Sequence, residues 1–150
     1  MKSVFNQNDV NELLSRLDQL SPASERQWGK MTVGQMLAHC NVTYELVYEN
    51  KHPKPNAFVK FLLKLFVKNF VVNAKPYKPN GQTAPVFLVK DDKDFATEKI
   101  RLVNYINKTR EMGGAWFNNR ESHSFGKLTR DEWNNMFYKH LDHHLKQFGV

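Results

Sequence analysis

The sequence predicts a mainly α-helical protein, a four-helix bundle with a long crossover and one additional short helix. Four segments have apolar residues at helical spacing, and each begins at a residue suited to cap a helix. The chain has 150 residues, of which 41% are hydrophobic, enough to form one core. There is no internal repeat and no low-complexity tract. Residues 1–150 are therefore expected to form a single domain.

The first two long helices are expected in the first third of the chain. The run NDVNELLSRLDQL, residues 8–20, has leucines at helical spacing, with Asn8 as the expected N-cap. After the loop SPASERQWGK, Thr32 and Gln35 have the capping-box spacing, in which each side chain satisfies a free backbone amide. The helix MTVGQMLAHCNVTYELVYE follows, with His39 near the edge of its apolar stripe.

The most apolar stretch, FVKFLLKLFVKNFVV, occupies residues 58–72. It is too short and too charged to span a bilayer. Lys60, Lys64 and Lys68 recur every four residues, so a helix would align them in one stripe. We expect a core helix whose lysine stripe faces solvent, while a dimer face and a membrane-surface contact are the alternatives.

The second half of the chain supplies the crossover and two further long helices. Pro76, Pro79 and the turn pair Asn80-Gly81 predict a long connection over residues 73–93, with PVFLV as a short extended piece. The helix DFATEKIRLVNYINKTREM should begin at Asp94 and end at Gly113–Gly114. A loop, AWFNNRESHSFGKL, then leads to the last helix, which opens with a second capping box at Thr129 and Glu132.

Charge and cysteine content restrict the classes of partner and compartment. The net charge is +7, but Lys and Arg are spread along the chain and no nucleic-acid motif is present. The single cysteine, Cys40, excludes an intramolecular disulfide, and the polar start MKSVFNQNDV lacks a signal-peptide core. We therefore expect a cytoplasmic protein with neither nucleic acid nor membrane as its partner.

The histidines of the C-terminal run KHLDHHLKQFGV indicate chemistry. On a helical wheel His144 lies close to the direction of the apolar residues, His140 roughly 65° from it and His143 roughly 125° from it. His140 and His144 therefore point inward, one turn apart, and His143 points outward. Asp142 lies on another side, where Lys146 four residues later suggests a surface ion pair.

Two imidazoles at positions i and i+4 can bind one divalent ion, with a third ligand from another helix of the bundle. His39 is the best candidate for this third ligand, and His52, beside Pro53 in a loop, fits less well. The alternative that these histidines bind no metal remains open, because a partly buried histidine often only hydrogen-bonds a carbonyl oxygen.

Three segments resemble a known pattern: WGKMTVGQMLAHC, HSFGKLTRDEW and YKHLDHHLKQFGV. They are similar to an uncharacterised branch, the domain of unknown function 1569, of the DinB/YfiT-like superfamily. The resemblance covers roughly residues 28–150, including TAPVFLVKDDKDFATEKIRL. It implies a four-helix bundle in which three histidines hold a divalent metal, usually zinc or nickel. Those positions match His39, His140 and His144.

The loop around His123 departs from the resembled pattern. There a proline usually follows the histidine, whereas this chain has Ser124. His123 is thus a candidate for a contact with the metal ligands or the substrate, against the alternative of a loop histidine bonded to backbone. Cys40 adjoins His39, but one residue turns a helix by about 100°, so we interpret it as a buried inert thiol.

Three functional hypotheses from different classes follow. The first is a metal-dependent enzyme acting on a small molecule, with thiol S-transfer slightly favoured over hydrolysis and a low-molecular-weight thiol as a candidate cosubstrate. The resemblance supports it, because superfamily members include thiol-dependent transferases and isomerases. The second is a non-catalytic metal- or ligand-binding bundle, with a homodimer as an open question. The third is a basic protein that binds nucleic acid or a membrane surface.

Overall fold

A computed structural model describes residues 2–150 of the chain. Its helices are α1 (Gln7–Asp18), α2 (Val33–Tyr48), α3 (Ala57–Phe66), α4 (Lys68–Val72), α5 (Phe95–Phe117) and α6 (Arg130–Gln147), and its strands are β1 (Arg120–Ser122) and β2 (Gly126–Leu128). The four long helices α1, α2, α5 and α6 pack against one another, with the most extensive contact between α2 and α5. The mainly α prediction is confirmed.

Aromatic side chains join α2, α5 and α6 in the core. The ring of Phe137 stacks on Tyr44 of α2, with centroids 5.0 Å apart, and on Trp133 of α6 at 5.6 Å. Phe117, at the end of α5, contacts both Trp133 and Phe137. This packing fixes the inner face of α6 against α2, and it thereby positions the histidines one and two turns further along α6.

Most of the predicted helix starts are confirmed. Thr32 and Thr129 both form complete capping boxes, and Asp94 accepts a hydrogen bond from the third residue of α5. The N-cap of α1 is Asn6 rather than Asn8, because the Asn6 side chain accepts from two backbone amides of the first turn. Two asparagines at this end of the helix are both chemically suited to cap it, and the earlier one does so.

The connections differ from the prediction in three places. Gly113 has non-helical backbone angles, with a φ of 70°, so the regular helix is interrupted there as predicted, but a further helical turn follows across the kink to Phe117. The expected loop after α5 contains an antiparallel hairpin, β1 with β2, which turns through Gly126 at a φ of 77°. The expected extended piece near residue 86 is a short 3-10 turn, Pro85–Phe87.

The prediction that residues 58–72 form a core helix is wrong. The segment is two helices, α3 and α4, and none of the ten residues of α3 is buried. Two of the three lysines of the stripe lie on the protein side, where Lys60 pairs with Glu121 and Lys68 with Glu132, while Lys64 is exposed. The four long helices already cover one another's apolar faces, so α3 has no internal surface to occupy. Among residues 2–150, none of the helices combines the length and apolar character that crossing a bilayer requires.

Candidate metal centre

The structure brings together the three histidines that the sequence singled out. His39 of α2 and His140 and His144 of α6 place their ligand-capable nitrogens within 4.8 Å of one another. The Nε2 atoms of His39 and His140 are 2.9 Å apart. His39 is only 5% exposed and His144 only 7%. The three imidazoles thus form a cluster between the two helices, with two of them buried and His140 partly exposed.

The contacts of His39 fix which of its nitrogens carries the proton. Its Nδ1 lies 2.9 Å from the carbonyl oxygen of Phe87. A carbonyl oxygen only accepts, so Nδ1 must donate, and a neutral ring then keeps its lone pair on Nε2. That lone pair points towards His140 and is available to bind a proton or a cation between the two rings.

A relay through Gln147 fixes His144 in the same way. The Gln147 side chain donates from Nε2 to the carbonyl oxygen of Trp28 at 2.8 Å. Its Oε1, 2.8 Å from His144 Nδ1, is therefore the acceptor, and His144 donates to it. The Nε2 of the neutral His144 ring is left without a proton.

His140 has a more adaptable partner. Its Nδ1 lies 2.9 Å from the Thr43 hydroxyl, which can donate or accept. If Thr43 donates, His140 Nε2 carries a proton and bonds His39 Nε2. If Thr43 accepts, all three Nε2 lone pairs converge, and only a cation satisfies them. The two states differ by a rotation of the Thr43 hydroxyl and by the transfer of the His140 ring proton from Nε2 to Nδ1.

The electrostatic environment keeps the three imidazoles neutral. Burial lowers the pKa of His39, and it lowers the pKa of His140 well below its ordinary value, with the neighbouring imidazoles adding to the effect. Burial and the proximity of His39 bring the pKa of His144 down to about 3. Neutral imidazole is the form that binds metal, so the site is prepared for a cation near neutral pH.

The donor set fits a divalent ion of the zinc or nickel type. Nitrogens at about 2.0–2.1 Å from one zinc ion lie roughly 3.3 Å apart in a tetrahedral site, so the 2.9 Å separation of His39 and His140 is a few tenths of an ångström short. Metal-binding histidines commonly donate their other ring N–H to a fixed acceptor, as His39 and His144 do here.

Phe87 covers the cluster from the crossover. Its ring lies 5.4 Å from that of His39 and 5.8 Å from that of His140, in addition to its carbonyl contact. Phe87 belongs to the 3-10 turn Pro85–Phe87. The crossover thus covers one side of the cluster and limits the access of water to it.

Sequence reasoning missed the residues that hold the imidazoles in place. Thr43 lies one turn after His39 on α2, and Gln147 lies one turn after His144 on α6, so helical spacing could have indicated both. Phe87 and Trp28 act through backbone carbonyls, for which the sequence carries no signal.

The outward direction expected for His143 needs correction. Its ring points away from the cluster but is half-buried, 5.8 Å from Trp28 and 5.7 Å from Tyr77. A cavity of about 260 Å³ opens beside it and is also lined by Lys139. None of the three clustered histidines lines this cavity, and the His143 ring, 5.0 Å from that of His144, lies between the cavity and the cluster.

The remaining candidates lie in other surroundings. His123 contacts Ser124 and residues 52–54, and its buried Nε2 has no hydrogen-bond partner among residues 2–150. His52 bonds Glu45, 2.7 Å away, and is not part of the cluster. This agrees with the expectation that it fits less well than His39 as the third ligand. Cys40 is buried against Met36, and burial raises the pKa of its thiol.

The surface ion pair predicted on α6 is present. Lys146 Nζ lies 2.8 Å from Asp142, which also receives Arg16 from α1 at 2.9 Å. Asp142 therefore ties α6 to α1 and is not directed at the three histidines.

No curated protein and no solved structure matches the chain. One family model does, over residues 2–149, and its description is protein of unknown function (DUF1569). Because this match covers nearly the whole chain, the protein belongs to this family.

Proposed function

We propose that this protein is a metal-dependent enzyme of the DinB/YfiT-like superfamily that acts on a small molecule. His39, His140 and His144 hold one divalent ion, zinc or nickel. The observation that carries the proposal is the fixed orientation of the rings. The Nδ1 atoms of His39 and His144 donate to fixed acceptors, and when Thr43 accepts from the third ring, all three Nε2 atoms are without protons.

Thiol S-transfer is slightly favoured over hydrolysis as the reaction. An ion held by three neutral ligands supplies Lewis acidity, which lowers the pKa of a thiol or water that binds it. Structural zinc sites are usually closed by four protein ligands, so a three-histidine set is typical of sites that exchange a ligand. A low-molecular-weight thiol suits the reducing, cytoplasmic compartment that the single cysteine predicts.

This chain's own residues would orient and shield the reacting groups. Thr43 and Gln147 hold two of the rings, and Phe87 keeps bulk water from the cluster. The 260 Å³ cavity beside His143 is the approach that we assign to the substrate. Exclusion of water strengthens the electrostatic attraction between the ion and an anionic ligand.

A non-catalytic metal-binding bundle is the second candidate. The low exposure of His39 and His144 and the cover by Phe87 favour it, because a buried ion with little access exchanges ligands slowly. The two candidates share the same metal site and differ only in turnover.

Elemental analysis of the purified protein tests the site itself. We expect about one zinc or nickel ion per chain, and we expect His140→Ala to lose most of it while the bundle stays folded. His143→Ala is the matched control, because its ring faces Trp28 and Tyr77 rather than the cluster. Full metal occupancy in His140→Ala would disprove the assignment.

Turnover separates the two candidates. We expect the metal-loaded protein to accelerate the attack of a small thiol on an electrophile, or the hydrolysis of a labile bond, and the chelated protein to do neither. Activity should return when the metal is restored. A protein that retains its metal but accelerates neither reaction would favour the non-catalytic bundle.

A further inference from the structure

The apolar face of α3 and α4 is left uncovered by the rest of residues 2–150. Phe61 is 60% exposed and Phe66 is 72% exposed, although both lie in the most apolar segment of the sequence. The other large hydrophobic side chains exposed on these two helices are Phe58, Val59, Leu65 and Phe70. Contiguous exposed apolar surface of this kind marks an interaction site more often than isolated exposed residues do.

The charge of the whole protein is concentrated around this face. Residues 51–90 contain eight lysines and neither Asp nor Glu, whereas the rest of the chain has 14 Lys and Arg against 15 Asp and Glu. The formal charge of +7 therefore originates in the segment that includes α3 and α4. Basic residues are spread along the whole chain, but this segment contains no acidic residues to balance them.

Several of these lysines have no carboxylate partner. Lys60 and Lys68 pair with Glu121 and Glu132 on the body of the protein, and these pairs turn the opposite, phenylalanine-bearing side of α3 and α4 outward. Four other lysines are exposed and form no ion pair within residues 2–150: Lys54, Lys64, Lys75 and Lys78. Along the sequence they lie before, within and after the segment that forms the apolar face.

We propose that α3 and α4 form a docking surface for an anionic lipid membrane, with the phenylalanines entering the headgroup–acyl boundary and the free lysines meeting acidic headgroups. A helix with aromatic and leucine side chains on one face and lysines beside it lies in the plane of such an interface. Acidic lipids attract basic segments next to an inserted apolar face. The expectation that no membrane binds rested on burial of this helix, and the helix is exposed.

Charge disfavours a second copy as the occupant. A two-fold symmetric dimer contact places the same surface of each chain against the other. Here such a contact would bring the four unpaired lysines of one copy towards those of the other, and neither segment contains an acidic residue to balance them. An acidic membrane offers the complementary charge.

Vesicle sedimentation with the full-length protein tests the proposal. Vesicles of phosphatidylcholine with phosphatidylserine should bind the protein, less so as the salt concentration rises, and vesicles of phosphatidylcholine alone should bind it more weakly. The double substitution Phe61→Ser and Phe66→Ser should lower partitioning about tenfold or more. Both side chains are exposed, so the fold does not depend on them.

A matched control comes from α5. Ile100 is 62% exposed, and Ile100→Ser should leave partitioning unchanged because this residue lies outside the docking surface. Failure of the wild type to bind acidic vesicles at low salt would overturn the proposal. So would binding that the phenylalanine substitutions leave unchanged, since charge alone would then account for it.

Two other results would assign the face to another occupant and overturn the proposal. One is a dimer in solution that the phenylalanine substitutions disperse, without vesicle binding by the wild type. The other is retention on single-stranded nucleic acid in preference to acidic vesicles. A chelator should have no effect on vesicle binding, so this test is independent of the metal centre.

Discussion

Helices α2 and α3 differ in how deeply they are buried, and their sequences do not predict this difference. Twelve of the sixteen residues of α2 are buried, whereas none of the ten residues of α3 is, although α3 is the more apolar. Helix α2 lies between α5 and α6, while α3 packs mainly against α4. Apolar content therefore identifies a surface that needs covering, but it does not identify what covers it.

The polar residues of the two regions also differ in their use. In α2 the buried His39 and Thr43 contact partners on other elements and contribute to the imidazole cluster. In α3 the polar residues are lysines that either pair with the body of the protein or remain exposed. We infer that α2 serves the interior chemistry and that α3 serves contact with a partner outside the chain.

Truncation of one phenylalanine in each region gives the largest expected contrast. Phe137 is fully buried in the aromatic core, so Phe137→Ala should lower the free energy of unfolding by about 3–5 kcal/mol. Phe61 is 60% exposed, so Phe61→Ala should change it by no more than about 0.5 kcal/mol. Urea denaturation measures both. Similar costs would mean that α3 is covered in solution, as a dimer contact would cover it.

The carboxylate of Glu45 on α2 should make stability depend on pH. Burial alone would raise the pKa of this carboxyl, but hydrogen bonds from Lys51, His52 and Arg101 outweigh it and lower the pKa below the ordinary 4.5. The native state therefore binds its proton less readily than the unfolded state. The resulting stabilisation is fully present above pH 4.5 and is lost as the pH falls through the lowered pKa.

Glu45→Gln measures this contribution. At neutral pH the substitution should cost about 1.5–3 kcal/mol, the range for buried hydrogen bonds to charged groups. The difference from wild type should shrink as the pH falls below 4.5, because the wild type then loses the same charge. A difference that stays constant from neutral to acid pH would show that lost packing, rather than charge, causes the cost.

The Thr43 hydroxyl should influence metal affinity without binding the metal itself. Thr43→Val preserves the side-chain shape but removes the acceptor for His140 Nδ1, so we expect an affinity about 10–100-fold lower by competition with a chelator. Thr43→Ser keeps the hydroxyl and should bind nearly as tightly as wild type. Equal affinities for Val and Ser at this position would contradict the proposed orienting role.

The sequence predicted the parts of the site that local rules govern. Capping boxes at Thr32 and Thr129 set the starts of α2 and α6, and the wheel of α6 directed His144 inward, where the structure places it. His39, on the capped helix α2, was the best candidate for the third ligand from the residues alone, and the resemblance matched that choice. Metal binding by these residues stays a prediction.

The rest depends on tertiary arrangements without a local signal. The contact of Phe87 with His39 depends on how the crossover crosses α2, and the tautomer of His144 depends on a carbonyl at Trp28. The exposure of α3 was missed because an apolar stripe looks the same whether its partner lies inside the chain or outside it. The partial burial of His143 was missed for a related reason, because the residues that cover it, Trp28 and Tyr77, lie in loops far away in the sequence.

The caps of α6 and α3 offer the smallest contrast. The Thr129 side chain accepts from Glu132 N at the start of α6, and Asn56 accepts from Val59 N at the start of α3. Loss of a cap typically costs about 1 kcal/mol, and Thr129→Ala should lower the global stability by this amount because α6 unfolds only with the core. Asn56→Ala should leave global stability nearly unchanged, because an exposed helix can fray by itself.

Hydrogen exchange distinguishes local fraying from global unfolding in these two variants. Lys60 N bonds Asn56 O in the first turn of α3, so its amide should exchange faster in Asn56→Ala while the amides of α6 keep their protection. Acidic vesicles should restore protection in α3 if it docks on lipid, because a bound interfacial helix is stabilised against fraying. If Asn56→Ala lowered global stability as much as Thr129→Ala, α3 would belong to the cooperative core. Its exposed phenylalanines would then need a covering that is already present in solution, and the contrast between the two regions would fail.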